Sequence, residues 1–253
     1  MYFNANIDLE VKIKNARIAF TIFLVSLSLI SKAEHLVGGE ISYTCLGNNE
    51  YLVTLKIYRD CLSSGAAFDF NANMTIYQGN TLFMNTSWDG FETVDIPIIA
   101  SGPCYVNPPN LCLEMGIYER VMMLPPSPLG YTIVHQRCCR GPSILNLNIP
   151  ETQGNTYFID IPPNDVPCNS SAVFDDLPPA TICANEPLVF DHSATEPDGD
   201  ELVYELCTPF NGGTTLDPAP IPAFPPPYVP VSWATDFSAT RNPPQSIDCR
   251  YAL

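Results

Sequence analysis

Hydrophobic and polar side chains alternate along most of the chain, and a helical period is nearly absent. Tyr51, Val53 and Leu55 share one face of an extended segment, while Thr54 and Lys56 point to the other face. A similar segment at 40–45 precedes a Gly-Asn-Asn turn. This pattern predicts an antiparallel hairpin of strands 40–45 and 51–58.

Further strands follow at short, regular spacing. A second hairpin is predicted from 74–77 and 82–84, because the Gly79-Asn80 turn between them suits a type II′ connection. The remaining predicted strands are 94–99, 116–124, 131–136, 144–149 and 157–161. Many short strands separated by Pro and Gly are typical of a sandwich or barrel. The predicted fold class is therefore all-β, with no helix longer than two turns after Ala33.

Proline-rich breaks suggest how the chain is divided. The segment 34–163 is predicted as a disulfide-rich β-sandwich-like domain, 164–182 as a linker, and 183–253 as a second, shorter β unit. Its predicted strands are 188–192, 202–206 and 231–234. Eight of the 22 residues in 209–230 are Pro, which favours a polyproline-like surface loop. With so few strands, the part after Pro209 is expected to pack poorly.

The N-terminus has the features of an export signal. Lys12, Lys14 and Arg17 precede thirteen uncharged residues, 18–30, and small residues then flank Lys32. A basic segment, a short apolar core and an A-x-A-like site describe a secretory signal peptide. We expect residues 1–33 to be this signal, with cleavage after Ala33; an uncleaved anchor is the alternative, although the core is short for a membrane span.

Charge and cysteine content limit the function further. Without 1–33 the chain carries seven Lys and Arg against twenty-five Asp and Glu, so nucleic acid is not expected as a partner. All ten cysteines lie after Ala33, and an even number along an exported chain indicates disulfides. The cysteines predicted to be bonded are Cys45, Cys61, Cys104, Cys112, Cys138, Cys139, Cys168, Cys183 and Cys207.

Closeness along the sequence is the basis for predicting which of these cysteines pair. Cys104 and Cys112 enclose a short proline-containing loop and are expected to bond to each other. Neighbouring residues of a strand point to opposite faces, so Cys138 and Cys139 are expected to have separate partners. Cys45 and Cys61 are the natural candidates for those partners.

Three separated segments carry a resemblance to a known class of protein. They are HLVGGEISYTCLGNNEYLVTLKIYRDC at 35–61, CLEMGIYERVMMLPPSPLGYTIVHQRCCRG at 112–141 and CANEPLVFDHSATEPDGDELVYELCTPFNGG at 183–213. Together they resemble the N-terminal region of large secreted surface proteins of gliding Bacteroidota, which carry a gliding-motility-associated C-terminal sorting domain for type IX secretion. The resemblance implies a modular exterior protein with immunoglobulin-like, PKD-like or cadherin-like repeats.

The same resemblance implies no catalytic residues. It also implies that the second unit, 183–253, is an incomplete immunoglobulin-, cadherin- or PKD-like β unit, because units of that kind run on beyond the segment that ends here at Leu253. We therefore expect the chain to be a fragment of a longer protein.

One constellation could carry covalent or metal chemistry. His135 lies three residues before the Cys138-Cys139 pair, and these residues could form a Cys-His nucleophile or a metal site. Oxidised cysteines, however, offer no thiolate, and the sequence contains no hydrolase elbow, phosphate loop or H-E-x-x-H helix. A structural role for His135 is the favoured interpretation, and an enzyme is not expected.

An acidic turn supplies the one candidate cofactor site. Glu196, Asp198 and Asp200 surround Gly199, and Asp191 lies nearby, so their oxygens could bind one calcium ion. The affinity would be weak, about 10⁻⁴ to 10⁻³ M. The alternative is that Asp198-Gly199 is an ordinary hairpin turn without an ion.

These features favour a non-enzymatic secreted or cell-surface protein for adhesion or structure, and the resemblance implies an association with gliding motility. Its expected partners are surface glycans or other extracellular proteins. A carbohydrate-binding accessory module of an extracellular polysaccharide-processing system is the alternative. No membrane span is expected after signal cleavage.

Overall fold

Strands carry almost all of the regular structure. The computed structural model describes residues 14, 36–62, 67–98, 110–164, 166, 168–180, 187, 189–205 and 207–238. The strands are β1 (Leu36–Gly47), β2 (Glu50–Asp60), β3 (Asn71–Gln78), β4 (Thr81–Asp89), β5 (Glu92–Ile96), β6 (Leu113–Met123), β7 (Tyr131–Arg137), β8 (Asn155–Ile161), β9 (Val173–Phe174) and β10 (Ala194–Thr195). After Ala33 the described residues contain one 3-10 turn, Pro150–Thr152, and no α-helix. The predicted all-β class is confirmed.

Sheet A contains four antiparallel strands in the order β1-β2-β6-β5. The predicted first hairpin is its first pair, with Ile41 opposite Leu55 and Tyr43 opposite Val53. Asn48 and Asn49 form the tip with positive φ angles, which Asn tolerates better than most residues. The turn and the alternation therefore specify the same register.

Sheet B has the order β4-β3-β7-β8, again antiparallel. The predicted second hairpin is the β3–β4 pair, and Gly79 at its tip has a φ of 56°. Strands β7 and β8 extend the sheet with an uninterrupted register from Tyr131 to Arg137.

The two sheets enclose one hydrophobic core. Val53 and Leu55 of sheet A and Ile76 and Ile133 of sheet B are fully buried in the same cluster. Inward and outward positions alternate along β1 and β2, as a sheet with one buried face requires. The arrangement is that of a β-sandwich, with β1 against β8.

Sheet B is also covered on its outer face. Tyr77, Val134 and Phe158 form a second buried cluster with Phe210 and Tyr228. The covering residues belong to the segment 209–230, which we call the proline layer. Coverage of both faces explains why β3 and β7 are buried almost without alternation, including polar residues such as Thr75 and Gln136.

Hydrogen bonds fix the proline layer on the sheet. The Tyr77 hydroxyl donates to the carbonyl of Pro222 at 2.7 Å, and Asn73 Nδ2 donates to Ala219 at 2.9 Å. The backbone N–H of Cys138 donates to Pro218 at 2.7 Å. Because proline has no N–H, this segment brings few donors that would need partners, and the sheet supplies donors to its carbonyls.

The prediction that the chain packs poorly after Pro209 is therefore wrong for the described part of that segment. Phe210, Tyr228 and Val231 are all buried. The prediction rested on the small number of strands in this region. The segment does not need strands of its own, because it packs on the outer face of sheet B.

Other predicted strands are also absent. Residues 144–149 form only a bridge, Leu147 to Trp233, with Leu145 and Ile149 exposed. The described parts of 188–192 and 202–206 are not strands, and their side chains Val189 and Val203 are exposed. Within 231–234 only the bridge at Trp233 occurs, and Pro230, just before this range, forms a bridge with Phe210. The short β9–β10 pair was not predicted.

Three disulfides join described cysteines, and two expected pairings are wrong. Cys61 bonds to Cys112 rather than Cys104 to Cys112, because the pairing of Asp60 with Leu113 places those two cysteines side by side. Cys138 bonds to Cys139, and both lie beyond the end of β7, so alternation along a strand does not separate them.

The third disulfide joins Cys45 to Cys168 across 123 residues of sequence. Cys207 is also disulfide-bonded. Cys104 and Cys183 lie outside the described residues, as does the predicted signal at 1–33 apart from Lys14. The unit Ala33–Leu253 is compact, and the domain boundaries predicted at 163 and 182 stay predictions.

We predict that replacing both Cys45 and Cys168 by Ser lowers the free energy of unfolding by about 2–5 kcal/mol, because the closed loop is long. Urea denaturation under non-reducing conditions measures the loss. Peptide mapping of the unmutated chain should recover Cys45–Cys168, Cys61–Cys112 and a Cys138–Cys139 ring. Recovery of Cys104 bonded to Cys112 would contradict the pairing described above.

A second prediction concerns the proline layer. Phe210→Ala should lower the free energy of unfolding by about 3–5 kcal/mol, because Phe210 fills the outer cluster of sheet B. Phe224→Ala is the matched control, since Phe224 is 69% exposed and its removal should change stability by less than about 0.5 kcal/mol. Equal effects of the two substitutions would show that the layer does not pack as described.

Candidate functional site

A large cavity of the described structure lies where the edge strands of the two sheets, β1 and β8, meet. It has a volume of about 570 Å³, within the range of small-ligand sites. Its floor is 38–43 of β1 and 155–160 of β8, and its roof includes 172–174 and 200–205. We call this cavity the edge cleft.

The roof is attached to β1 by a short polar segment, 168–171, which we call the anchor segment. The backbone N–H of Ser171 donates to the Tyr43 carbonyl at 2.9 Å, and the Tyr43 N–H donates to Ser171 Oγ at 2.9 Å. The Cys45 N–H donates to Ser170 Oγ at 3.2 Å, and the disulfide from Cys45 to Cys168 lies beside it. The anchor segment thus pairs with the outer edge of β1 over part of its length.

The chain leaves that edge after Ser171. It continues as β9, which pairs with β10 instead of β1. The edge cleft is the space that opens between β1 and this pair. Its floor at Gly39 is tight, because a Cβ there would lie 2.8 Å from the Tyr157 ring.

A chain of polar contacts connects the anchor segment to the acidic turn at 196–201. The Tyr43 hydroxyl donates to Asn169 Oδ1 at 2.7 Å, and Asn169 Nδ2 donates to Asp200 Oδ2 at 3.0 Å. The Ser170 N–H donates to Asp198 Oδ2 at 2.6 Å. Burial raises the pKa of Tyr43, and the nearby charges of Tyr51 and Asp198 add to this, so its hydroxyl stays a donor.

The acidic turn is organised by one of its own carboxylates. Glu196 Oε2 accepts the backbone N–H groups of Asp198, Gly199 and Asp200 at 2.8, 2.5 and 2.8 Å. Gly199 has a φ of 89°, which explains the glycine. Among the predicted calcium ligands, Glu196, Asp198 and Asp200 each accept a hydrogen bond within the turn or from the anchor segment.

The fourth predicted ligand is engaged locally. Asp191 Oδ1 accepts the N–H of Ser193 at 3.0 Å. Within the described ranges, the donor atoms that lie within 4.8 Å of one another belong to Cys61, Cys112 and Glu114, and those two cysteines are disulfide-bonded. The four acids are therefore not gathered around one point, and calcium binding stays a prediction.

Negative charge dominates the lining of the edge cleft. Six of the lining residues are carboxylates, and the basic side chain among them is Arg140. Glu40 is paired with Lys56 at 2.7 Å, whereas Glu201 and Glu205 are exposed at the roof. The Arg140 guanidinium donates to the carbonyls of Gly154 and Phe210. The carboxylates of the lining are Glu40, Asp160, Glu196, Asp200, Glu201 and Glu205.

The His135 and Cys138-Cys139 constellation is not part of this cleft. His135 is fully buried on β7, and its Nδ1 lies 2.8 Å from the Asn73 carbonyl, so Nδ1–H is the donor. Burial lowers the pKa of His135 to about 4, which keeps the ring neutral. Cys138 and Cys139 are buried and bonded to each other. None of the three is placed to attack a substrate.

An ion pair between a buried arginine and a partly exposed aspartate lies beside them. Arg137 forms an ion pair with Asp69, and its Nη1 donates to the Cys138 carbonyl at 2.7 Å and to Pro218 at 3.2 Å. These contacts join β7, the chain before β3 and the proline layer. His135 and the Cys138-Cys139 pair, which suggested chemistry in the sequence, therefore make contacts that connect parts of the fold.

Sequence reasoning missed the edge cleft and the anchor segment. The anchor depends on Asn169, Ser170 and Ser171, which lie more than 120 residues from Tyr43 in sequence. A short polar run directly after a cysteine is the signal that could have suggested them.

Comparison of the chain with protein-family models, curated proteins and solved structures found no match. The described residues include no helix that is long and apolar enough to cross a membrane. The resemblance to surface proteins of gliding Bacteroidota therefore stays a prediction.

The buried His135 leads to a prediction about pH. Its folded-state pKa of about 4 lies below the ordinary value of 6.5, so between these values the unfolded chain binds a proton that the folded chain excludes. The free energy of unfolding should fall as the pH drops from about 6.5 to 4. His135 should contribute about 2–3 kcal/mol to that fall.

The measurement is denaturant unfolding at pH 7 and at pH 4.5 for the unmutated chain and for two variants, His135→Gln and His192→Gln. The difference in the free energy of unfolding between pH 7 and pH 4.5 should be smaller in His135→Gln than in the unmutated chain. His192→Gln should leave that difference unchanged, because His192 is exposed. An unchanged pH dependence in His135→Gln would contradict the neutral buried ring.

A further prediction concerns Glu196. Glu196→Ala should speed amide hydrogen exchange at Asp198, Gly199 and Asp200, because the carboxylate that accepts their N–H groups is removed. Glu201→Ala should leave those rates unchanged. Exchange measured by NMR checks both variants.

Repeating the amide-exchange experiment with millimolar calcium tests whether the acidic turn binds this ion. Slower exchange in the unmutated turn, abolished by Asp198→Asn with Asp200→Asn, would support a calcium site. If calcium does not change the exchange rates, the Glu196 carboxylate alone accounts for the structure of the turn.

Proposed function

We propose that this chain is a non-enzymatic, exported surface or secreted module that acts in adhesion or matrix building. The observation that carries the proposal is the edge cleft, a cavity of about 570 Å³ bordered by strand edges and roofed by an anchored segment. Such a cavity suits the binding of another extracellular molecule. This function is the one expected of the gliding-associated surface proteins that the sequence resembles.

The state of the reactive side chains supports binding over catalysis. His135 is neutral and buried, and the neighbouring Cys138 and Cys139 are bonded to each other. A general base or a thiolate nucleophile must reach its substrate, and these groups are enclosed by the sheets and the proline layer. They serve to hold the fold together.

The disulfides support an exported location. Cys45–Cys168 ties β1 to the anchor segment, and Cys61–Cys112 ties the end of β2 to the start of β6. Bonds of this kind persist in oxidising compartments outside the cytosol. The first of them also fixes the roof of the edge cleft to its floor.

A carbohydrate-binding module is the second candidate. Phe174 and Tyr204 line the roof, and their side chains are 51% and 54% exposed. Exposed aromatic rings beside polar groups can stack on sugar rings while carboxylates accept hydroxyl donors. This observation favours glycans over nucleic acid, which so acidic a chain would repel.

The experiment that tests the proposal uses beads coated with the oxidised chain. We expect the beads to adhere to bacterial surface material and to leave polysaccharide and peptide substrates uncleaved. Beads coated with the reduced and alkylated chain are the control, because they should lose adhesion. Turnover of any substrate would contradict the non-enzymatic function, and selective binding to a glycan array would favour the second candidate.

A further inference from the structure

We propose that the edge cleft binds an extended, basic peptide segment of another protein, which adds as a strand to the outer edge of β1 at Gly39 and Ile41. This inference rests on the proposed binding function and specifies the chemistry of the partner. Three observations carry it: the direction of the backbone groups of β1, the space beside them and the charge of the lining.

The backbone of β1 offers unused ladder positions. The N–H and C=O of Tyr43 point away from β2, because both bond to Ser171. The register of β1 with β2 is continuous from Gly38 to Cys45, so Ile41 and Gly39 direct the same groups outward. Among the described residues, no hydrogen-bond partner lies on that side of Gly39 or Ile41.

The anchor segment shows how a strand can use this edge. Ser171 lies opposite Tyr43, and Ser170 bonds to Cys45, so chain numbers rise along the segment as they fall along β1. This direction is antiparallel. The segment leaves after Ser171, and an incoming strand would continue the ladder from that point.

The space at this edge is sufficient for a short peptide. The edge cleft borders 38–43 of β1, and β9, which is part of its roof, pairs with β10 rather than with β1. An added strand would lie in this gap. An unpaired edge with free ladder groups is the kind of surface that peptide recognition by strand addition requires.

The charge of the lining selects a basic peptide. Asp160, Glu201 and Glu205 are exposed along the edge cleft, on opposite walls. The side chains of an added strand alternate between its two faces, so lysines or arginines at alternate positions could reach these acids. An acidic peptide would be repelled, since the lining holds six carboxylates and one guanidinium.

The test uses the oxidised full chain and a six-residue, end-capped peptide that alternates lysine and threonine. At a peptide concentration of ten times its Kd, amide exchange at Gly39 and Ile41 should slow by about tenfold, because the bound strand accepts their N–H groups. The same peptide with N-methyl groups on alternate residues should not protect them. Protection that survives N-methylation, or none with either peptide, would overturn strand addition.

Two double variants test whether the negative charge of the edge cleft selects a basic peptide. Glu201→Lys with Glu205→Lys should weaken binding of the lysine peptide by about tenfold or more, since like charges would then face each other. Glu92→Lys with Glu151→Lys is the matched control, because both residues are exposed and neither lines the edge cleft. Equal affinity of the two double variants would overturn the selection of a basic partner.

The failure of this inference is separable from failure of the proposed function. If the coated beads adhere while the lysine peptide protects neither amide, strand addition is overturned and the binding function stands. If an oligosaccharide rather than the peptide protects Gly39 and Ile41, the occupant is a glycan and the inference is also overturned. Peptide protection without bead adhesion supports the site and contradicts the adhesive function.

Discussion

The burial of sheet B on both of its faces is the constraint on which the rest of the structure depends. One face packs on sheet A, and the other packs under the proline layer through Phe210 and Tyr228. Apolar side chains such as Tyr77 and Val134 would face water without that layer. Burial of such side chains is worth about 1.5–3 kcal/mol each, so the layer belongs to the fold rather than to a loose tail.

The composition of the layer follows from this position. A segment that crosses the face of a sheet cannot join its hydrogen-bond ladder, and every buried N–H would then need another acceptor. Proline removes that need, because it has no N–H. Its carbonyls at 218 and 222 receive donors from Cys138 and Tyr77. A proline-rich stretch, which the sequence suggested was a surface loop, can thus serve as a third packing layer.

The parts of the fold that could be predicted were those specified by neighbouring residues. The two hairpins were predictable because alternation and turn residues agree over about twenty residues each, as at Gly79. The pairing of Cys45 with Cys168 and of Tyr43 with Asn169 was not, because each joins residues more than 120 positions apart. The acidic turn was located by its sequence, but the use of Glu196 as a backbone acceptor depends on geometry that residue types do not specify.

The disulfide from Cys45 to Cys168 closes a covalent ring that contains β2 to β8, most of the sandwich. In a protein that is pulled from both ends, tension between these two residues is carried by the sulfur–sulfur bond and not by the strands inside the ring. Steady pulling can therefore extend the chain outside the ring while most strands of the sandwich stay paired. The load then falls on the part of β1 that precedes Cys45 and on the segments after Cys168, and these parts would be the first to yield.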